Sequence, residues 1–334
     1  MAILSDYFEP KLLDHIFQKA EYTRTNLYLG ISTSAFSESD NGTTAAAKEP
    51  GYDSSGPTYF GDNYSRVGIN GIAGNDNSSD KIKNSSGIDF AEAGGSGWGD
   101  IAYWAIFDGN SSSANMLMHG SFSASVTVAS GSQFRISTGD LEIIFPTILN
   151  NANVNADARF WRHQLAYRMG FDKQKSSSGD FSHTNEYKFD FYASNASGFT
   201  DINLYLGVSA SAFPTGAGLT ASENTGTNYS RVLINGATWN AASTSGSGVT
   251  TISNTSAISF PEAGSNWGDM AYWAIFRGSS DTSSGSTNTS AAQYLSNSTF
   301  SKQPLLMGSL STSKTVNTGD VLRFGQGDFV VTAS

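Results

Sequence analysis

Three pairs of polar residues recur in this chain in a form that could support chemistry: Arg66 with Arg231, Glu92 with Glu262, and Asp100 with Asp269. Two carboxylates beside an arginine suggest a glycosidase-like acid pair, in which a separation of roughly 5 to 9.5 Å distinguishes the two mechanisms. The competing reading is structural. Both copies keep the residues, whereas a duplicated enzyme often keeps one active copy, and a half-buried Asp or Arg needs a partner in any case. The expectation is therefore that each arginine pairs with a carboxylate of its own domain and that no residue is catalytic.

Other chemistries find less support. His15, His119, His163 and His183 are scattered without metal-ligand spacing and read as surface or satisfied residues. Residues 74–80, Gly-Asn-Asp-Asn-Ser-Ser-Asp, offer oxygen ligands but lack the spacing and closing Glu of a calcium loop, so a polar turn is expected. The glycine cluster at 94–99 does not link a strand to a helix as a phosphate loop would. No metal or cofactor is assigned. Trp98, Trp104, Trp267 and Trp273 read as core, with Trp98 and Trp267 following glycine-containing turns that place them nearest a partner. Sequons such as Asn84-Ser-Ser86 and Asn195-Ala-Ser197 reflect composition.

The elements that must position these residues come from a repeat. Asn26-Leu-Tyr-Leu-Gly30 returns at 203–207, and Asn63-Tyr-Ser-Arg-Val67 returns at 228–232. Ile88-Asp-Phe-Ala-Glu-Ala-Gly94 returns at 258–264 with two changes, Trp98-Gly-Asp100 and its following strand return from 267, and residues 131–140 pair more weakly with 319–328. Five collinear blocks mean duplication, and the changing offset puts insertions in surface loops. The run 100–107 is apolar on both faces, as a covered central strand requires, and further strands are expected at 122–128 and 134–145, matched near 314–316 and 321–331. Short strands between Gly/Ser/Asn turns predict a mainly β protein: two tandem homologous antiparallel β-sandwich or barrel domains with short flanking helices.

The expected division is an N-terminal helical segment (1–25), a first β domain (26–145), a connector with a helix and a strand (146–202), and a second β domain (203–334). Phe8, Leu12, Leu13, Ile16 and Phe17 space like one apolar helix face, and residues 157–169 form a second such candidate with Phe160, Trp161 and Leu165. Both helices are candidate docking segments; the alternative is that each covers a sheet of its own domain. Residues 172–184 read as a polar loop and 186–192 as a strand.

Composition narrows the partners. A net charge of −10, with 14% charged residues and no basic cluster beyond 159–168, argues against direct nucleic-acid binding. The absence of cysteine removes thiolate metal sites, thiol nucleophiles and disulfides. No apolar run of membrane length and no export signal is read, so synthesis in a host cytoplasm is expected.

With these blocks in view, the sequence resembles a family of tailed-bacteriophage virion structural proteins of decoration or tail-fibre type. The resemblance rests on residues 6–17, Asn26-Leu-Tyr-Leu-Gly-Ile-Ser-Thr33, Asn63-Tyr-Ser-Arg-Val67, Ile88-Asp-Phe90, Trp98-Gly-Asp100 and Gly319-Asp-Val-Leu-Arg-Phe324. Members of that family resemble single units; here the unit is doubled, and residues 146–201 have no assigned counterpart. The resemblance implies assembly into a particle and supplies no enzymatic residue. The resulting expectation is a non-enzymatic capsid decoration or cement protein on the virion exterior, partnered by the major capsid protein or by tail proteins, with self-association as a further partner class. The alternatives are a tail fibre or tail-tip adhesin whose loops at 37–58 and 277–296 touch a host glycan, and, more remotely, a carbohydrate-active enzyme.

Overall fold

The computed structural model describes residues 3–17, 19–20, 22, 26–52, 60–70, 73–74, 81–144, 152–154, 204–213, 223–277 and 306–333. The chain divides into two compact units. The first holds residues 3–9 and 22 and the described residues of 26–144; the second holds residues 10–20, 152–154 and those from 204 onward, all as described.

The first unit contains β1 (Ile3–Leu4), the start of α1 (Phe8–Ile16), β2 (Tyr28–Ser32), α2 (Gly42–Ala46), β3 (Val67–Gly68), β4 (Ala73–Gly74), β5 (Lys81–Asn84), β6 (Ile88–Glu92), β7 (Gly99–Phe107), β8 (Met116–Val128), β9 (Gln133–Ile136) and β10 (Glu142–Ile144). The second contains β11 (Ala152–Val154), β12 (Leu204–Ser209), β13 (Val232–Ile234), β14 (Ser243–Thr244), β15 (Thr250–Ser253), β16 (Ile258–Glu262), β17 (Gly268–Arg277), β18 (Leu306–Val316), β19 (Val321–Phe324) and β20 (Val330–Ala333).

Equivalent strands build equivalent sheets. A five-stranded sheet runs β1-β8-β7-β2-β3 in one unit and β11-β18-β17-β12-β13 in the other, and the ribbons β6-β9 and β16-β19 carry the same register shift. Pairing is antiparallel throughout the described strands. Among the described strands each five-stranded sheet ends in a short strand at either edge, so no closed barrel is formed by them. The doubled unit also extends further back than the sequence blocks: β11 pairs with β18 as β1 pairs with β8.

The central strand behaves as its two-sided apolar pattern requires. Trp104, Ala105, Ile106 and Phe107 are all buried, and β7 is flanked by β2 and β8. Rings fill the space beside the sheet: Phe134 of β9 lies edge-on to both Phe122 of β8 and Phe90 of β6.

Two strand expectations change. Residues 134–145 and 321–331 are each two strands in different sheets, because turns at positive-φ Gly139 and Gly327 divide them. Buried Asn84 braces the first turn, accepting from Gly139 and Leu141 amides at 3.0 Å and donating to the Ser86 and Ser137 carbonyls; Asn254 bonds the Phe329 amide and the Ser256 and Gly325 carbonyls. With its amide consumed inside the fold, Asn84 has no room for a glycan. The strand expected at 122–128 begins earlier, at Met116, and its counterpart begins at Leu306 rather than 314. Comparison of 120–128 with 308–316 shows a sixth block, Gly-Ser-x-Ser-x-Ser-x-Thr-Val, shared by both units.

Candidate functional site

Among the described residues each unit buries an ion pair against its central sheet. In the first, Asn41 caps α2 with its side-chain oxygen on the Thr43 and Thr44 amides, and the Glu49 amide bonds back to the Ala46 carbonyl just beyond the helix. Glu49 thereby faces β2 at Gly30. On the opposite approach, Asp62 and Asn63 turn the chain in the left-handed region and direct Tyr64 and Arg66 inward.

The resulting bonds are short and mutual. Arg66 donates from Nη2 to Glu49 Oε2 at 2.5 Å and from Nε to both carboxylate oxygens at 3.0 Å. Its Nη1 donates to the Ser111 carbonyl at 2.7 Å, and the guanidinium lies 3.3 Å from the Phe107 ring centre. The Tyr64 hydroxyl donates to Glu49 Oε1 at 2.6 Å and accepts from the Ile31 amide at 2.9 Å. Neither charged side chain touches solvent.

The second unit repeats this geometry. Arg231 binds Glu223 at 2.6 Å and lies 3.5 Å from the Phe276 ring centre. Tyr229 donates to Glu223 at 3.0 Å and accepts from the Val208 amide at 2.9 Å. The expected pairing of each arginine inside its own domain is therefore found, but with Glu49 and Glu223 in place of the repeated carboxylates. One sequence signal points to them: Glu223 is the one acidic residue between 208 and 230.

Burial pushes the Tyr64 hydroxyl well above its ordinary range, and the Glu49 carboxylate beside it adds to the shift; Tyr229 is raised by burial and then by Glu223. Burial also pushes the Glu49 carboxyl up, opposed by Arg66. A tyrosine raised in the folded state contributes stability that is fully present below its unfolded value near 10 and is lost as pH climbs toward the folded value. Each tyrosine should then add a loss of about 1.4 kcal/mol per pH unit above pH 10. Alkaline unfolding of a Tyr64→Phe, Tyr229→Phe chain should show a correspondingly shallower pH dependence; an unchanged slope would contradict the assignment. Tyr7, raised by burial and by Asp108, supplies part of the slope that remains.

The other candidate residues do not join this cluster. Asp100 and Asp269 are exposed and accept hydrogen bonds across the ladder from Thr127 and Thr315. Glu92 and Glu262 are exposed on the ribbons. Among the described residues no carboxylate pair faces either arginine as the glycosidase arrangement demands, and the oxygens of Glu49 are already occupied by Arg66 and Tyr64.

Trp98 and Trp267 are buried, their indole N–H groups donating to the Asp62 and Thr227 carbonyls at 2.9 and 3.2 Å. They pack edge-on to Tyr64 and Tyr229, so they hold the ion-pair cluster from within rather than meeting a partner. Phe8, Leu12, Leu13, Ile16 and Phe17 are likewise buried, with Phe17 edge-on to Trp239 and Asp14 accepting from the Ala242 amide. Docking through this face presupposed open apolar surface; the folded chain itself covers it, because those side chains are more stable out of water. His15 and His119 are buried rather than on the surface.

Phe160, Trp161, Leu165, His163, His183, the helix at 157–169, the loop at 172–184 and the strand at 186–192 lie outside the described residues. So do residues 75–80 of the calcium-type turn, residues 53–58 of the first variable loop and residues 278–296 of the second.

What distinguishes both units is thus a sealed interior salt link under a layered sheet, a feature of scaffold rather than reaction. No curated protein matches the chain. A family model described as podophage GP4 fiber I protein gp80 matches residues 3–144 and 199–332, the two stretches that carry the repeated strands, and the chain belongs to that family.

Proposed function

We propose that the chain is a non-enzymatic component of a fibre on the exterior of a phage particle, bound to other virion proteins, with two homologous β domains filling two equivalent positions. The family match over both repeats carries this reading, since it names a fibre protein. The geometry supports it: the repeated buried polar residues are consumed in internal bonds, while insertions fall in the loops between repeated strands. Weak surface charge of net negative sign limits adhesion to released DNA.

Capsid decoration, the role first expected from the sequence, places the chain elsewhere on the same particle, and imaging separates the two. Gold labelling of a tagged chain in purified particles should mark tail-associated fibres; label spread over the capsid would overturn the fibre assignment in favour of decoration. A host glycan as ligand is a finer matter. Among the described residues every tryptophan is buried, so sugar stacking finds no exposed indole there.

A further inference from the structure

His119 sits in β8 with Ala105 of β7 and Ile3 of β1 at its register positions, and it is 7% exposed. Its ring faces Phe36 at 6.5 Å between centres, and its Nε2 is buried without a hydrogen-bond partner. The charged groups acting on it are Asp40 and Lys48, from the segment that leads through α2 to Glu49. These two are joined at 2.5 Å, and Asp40 also accepts from the Ser37 amide. The second unit differs at this point. Met307 occupies the position of His119, opposite Ala274 as His119 is opposite Ala105, and packs in a cluster with Phe213.

A neutral imidazole can lie in this apolar setting at modest cost. An imidazolium is disfavoured there, because it brings a charge and a second N–H into a buried setting in which Nε2 has no partner among the described residues. Asp40 is the nearby anion, but it is already held by Lys48, whose own charge opposes a second cation.

We propose that His119 is an acid-operated latch of the first unit: its protonation releases residues 36–48 from the sheet and loosens the anchorage of Glu49, while the second unit, with Met307, stays closed. The electrostatics agree in sign. Burial pushes His119 below the ordinary histidine range, with Asp40 pulling it up and Lys48 pushing it further down. A base lowered in the folded state contributes stability that is present above its unfolded value near 6.5 and is lost as pH falls below it.

Hydrogen exchange of the full chain, compared at pH 7.5 and pH 5 after correction for intrinsic rates, tests the latch. Protection over residues 36–48 should fall ~10-fold or more at pH 5, while residues 204–213 keep theirs. His119→Met should abolish the acid-dependent loss. Unchanged protection in the wild-type chain, or an equal loss in the variant or in the second unit, would overturn the proposal. Should the variant fail to fold, an NMR titration of the wild-type imidazole remains decisive: a His119 midpoint at or above that of free histidine sinks the latch.

Discussion

Arg66→Ala is expected to destabilise the first unit by about 3 to 5 kcal/mol and to leave the second unit's protection against hydrogen exchange unchanged. The substitution strands Glu49 in a site with no solvent contact, with Tyr64 as its remaining side-chain donor. It also removes the donors to the Ser111 and Gly109 carbonyls and the packing on Phe107. Arg231→Ala should produce the reciprocal result in the second unit, where Glu223 loses its partner. Removing both charges is a different matter. A Glu49→Leu, Arg66→Met chain strands no ion and should recover most of the loss, since apolar replacement of a buried pair is often nearly neutral. Exchange measured unit by unit is the proper readout, because a chain of two units need not unfold in one transition. A cost under about 1 kcal/mol for Arg66→Ala would show that the link contributes no more than a surface pair.

Why the arginines were legible in the sequence and their partners were not has a physical reason. Arg66 and Arg231 stand in the segment entering β3 and β13, where pairing fixes spacing, so Asn-Tyr-Ser-Arg-Val survives as a block. Glu49 and Glu223 stand in a loop, 17 and 8 residues before their arginines, and the unequal spacing defeats collinear comparison. Carboxylates that do align, at Asp100 and Asp269, align because they share a ladder position opposite Thr127 and Thr315. Alignment thus reported strand register, and the ion pair crossed between strand and loop.

The helix shows a second limit. Periodicity identified the apolar face of Phe8, Leu12, Leu13, Ile16 and Phe17 correctly, but a stripe says only that something covers it. What covers Phe17 includes Trp239, a residue without an aligned tryptophan in the first copy. Trp98 and Trp267 stand at the end of the strand that the sequence implies, yet the carbonyls of Asp62 and Thr227, in the turns that precede Tyr64 and Tyr229, take their indole N–H groups. By contrast, the antiparallel class follows from the short strands between Gly/Ser/Asn turns, and the two-sided apolar pattern of β7 and β17 marks them as the covered central strands of their sheets.

The second large effect comes from a residue with no side chain. Gly30→Ala should cost the first unit about as much as deleting Arg66, about 3 to 5 kcal/mol, although it removes no interaction by itself. A Cβ at Gly30 would overlap Glu49 Oε1 and stand 2.8 Å from the Phe107 ring; at Gly207 it would stand 2.6 Å from Glu223 Oε1 and 2.8 Å from the Phe276 ring. The carboxylate must then shift against the guanidinium that holds it, so a methyl group here weakens the ion pair without deleting a charge. This explains why Leu-Tyr-Leu-Gly ends in glycine in both copies: the site needs the space, because the carboxylate lies directly over the strand. The cause can be isolated with a double-mutant cycle. In a Glu49→Ala background the carboxylate is absent, and adding Gly30→Ala should cost only the ~1 to 3 kcal/mol of crowding against Phe107. Full additivity of the two substitutions, measured by exchange in the first unit, would mean that the glycine serves the strand and not the ion pair.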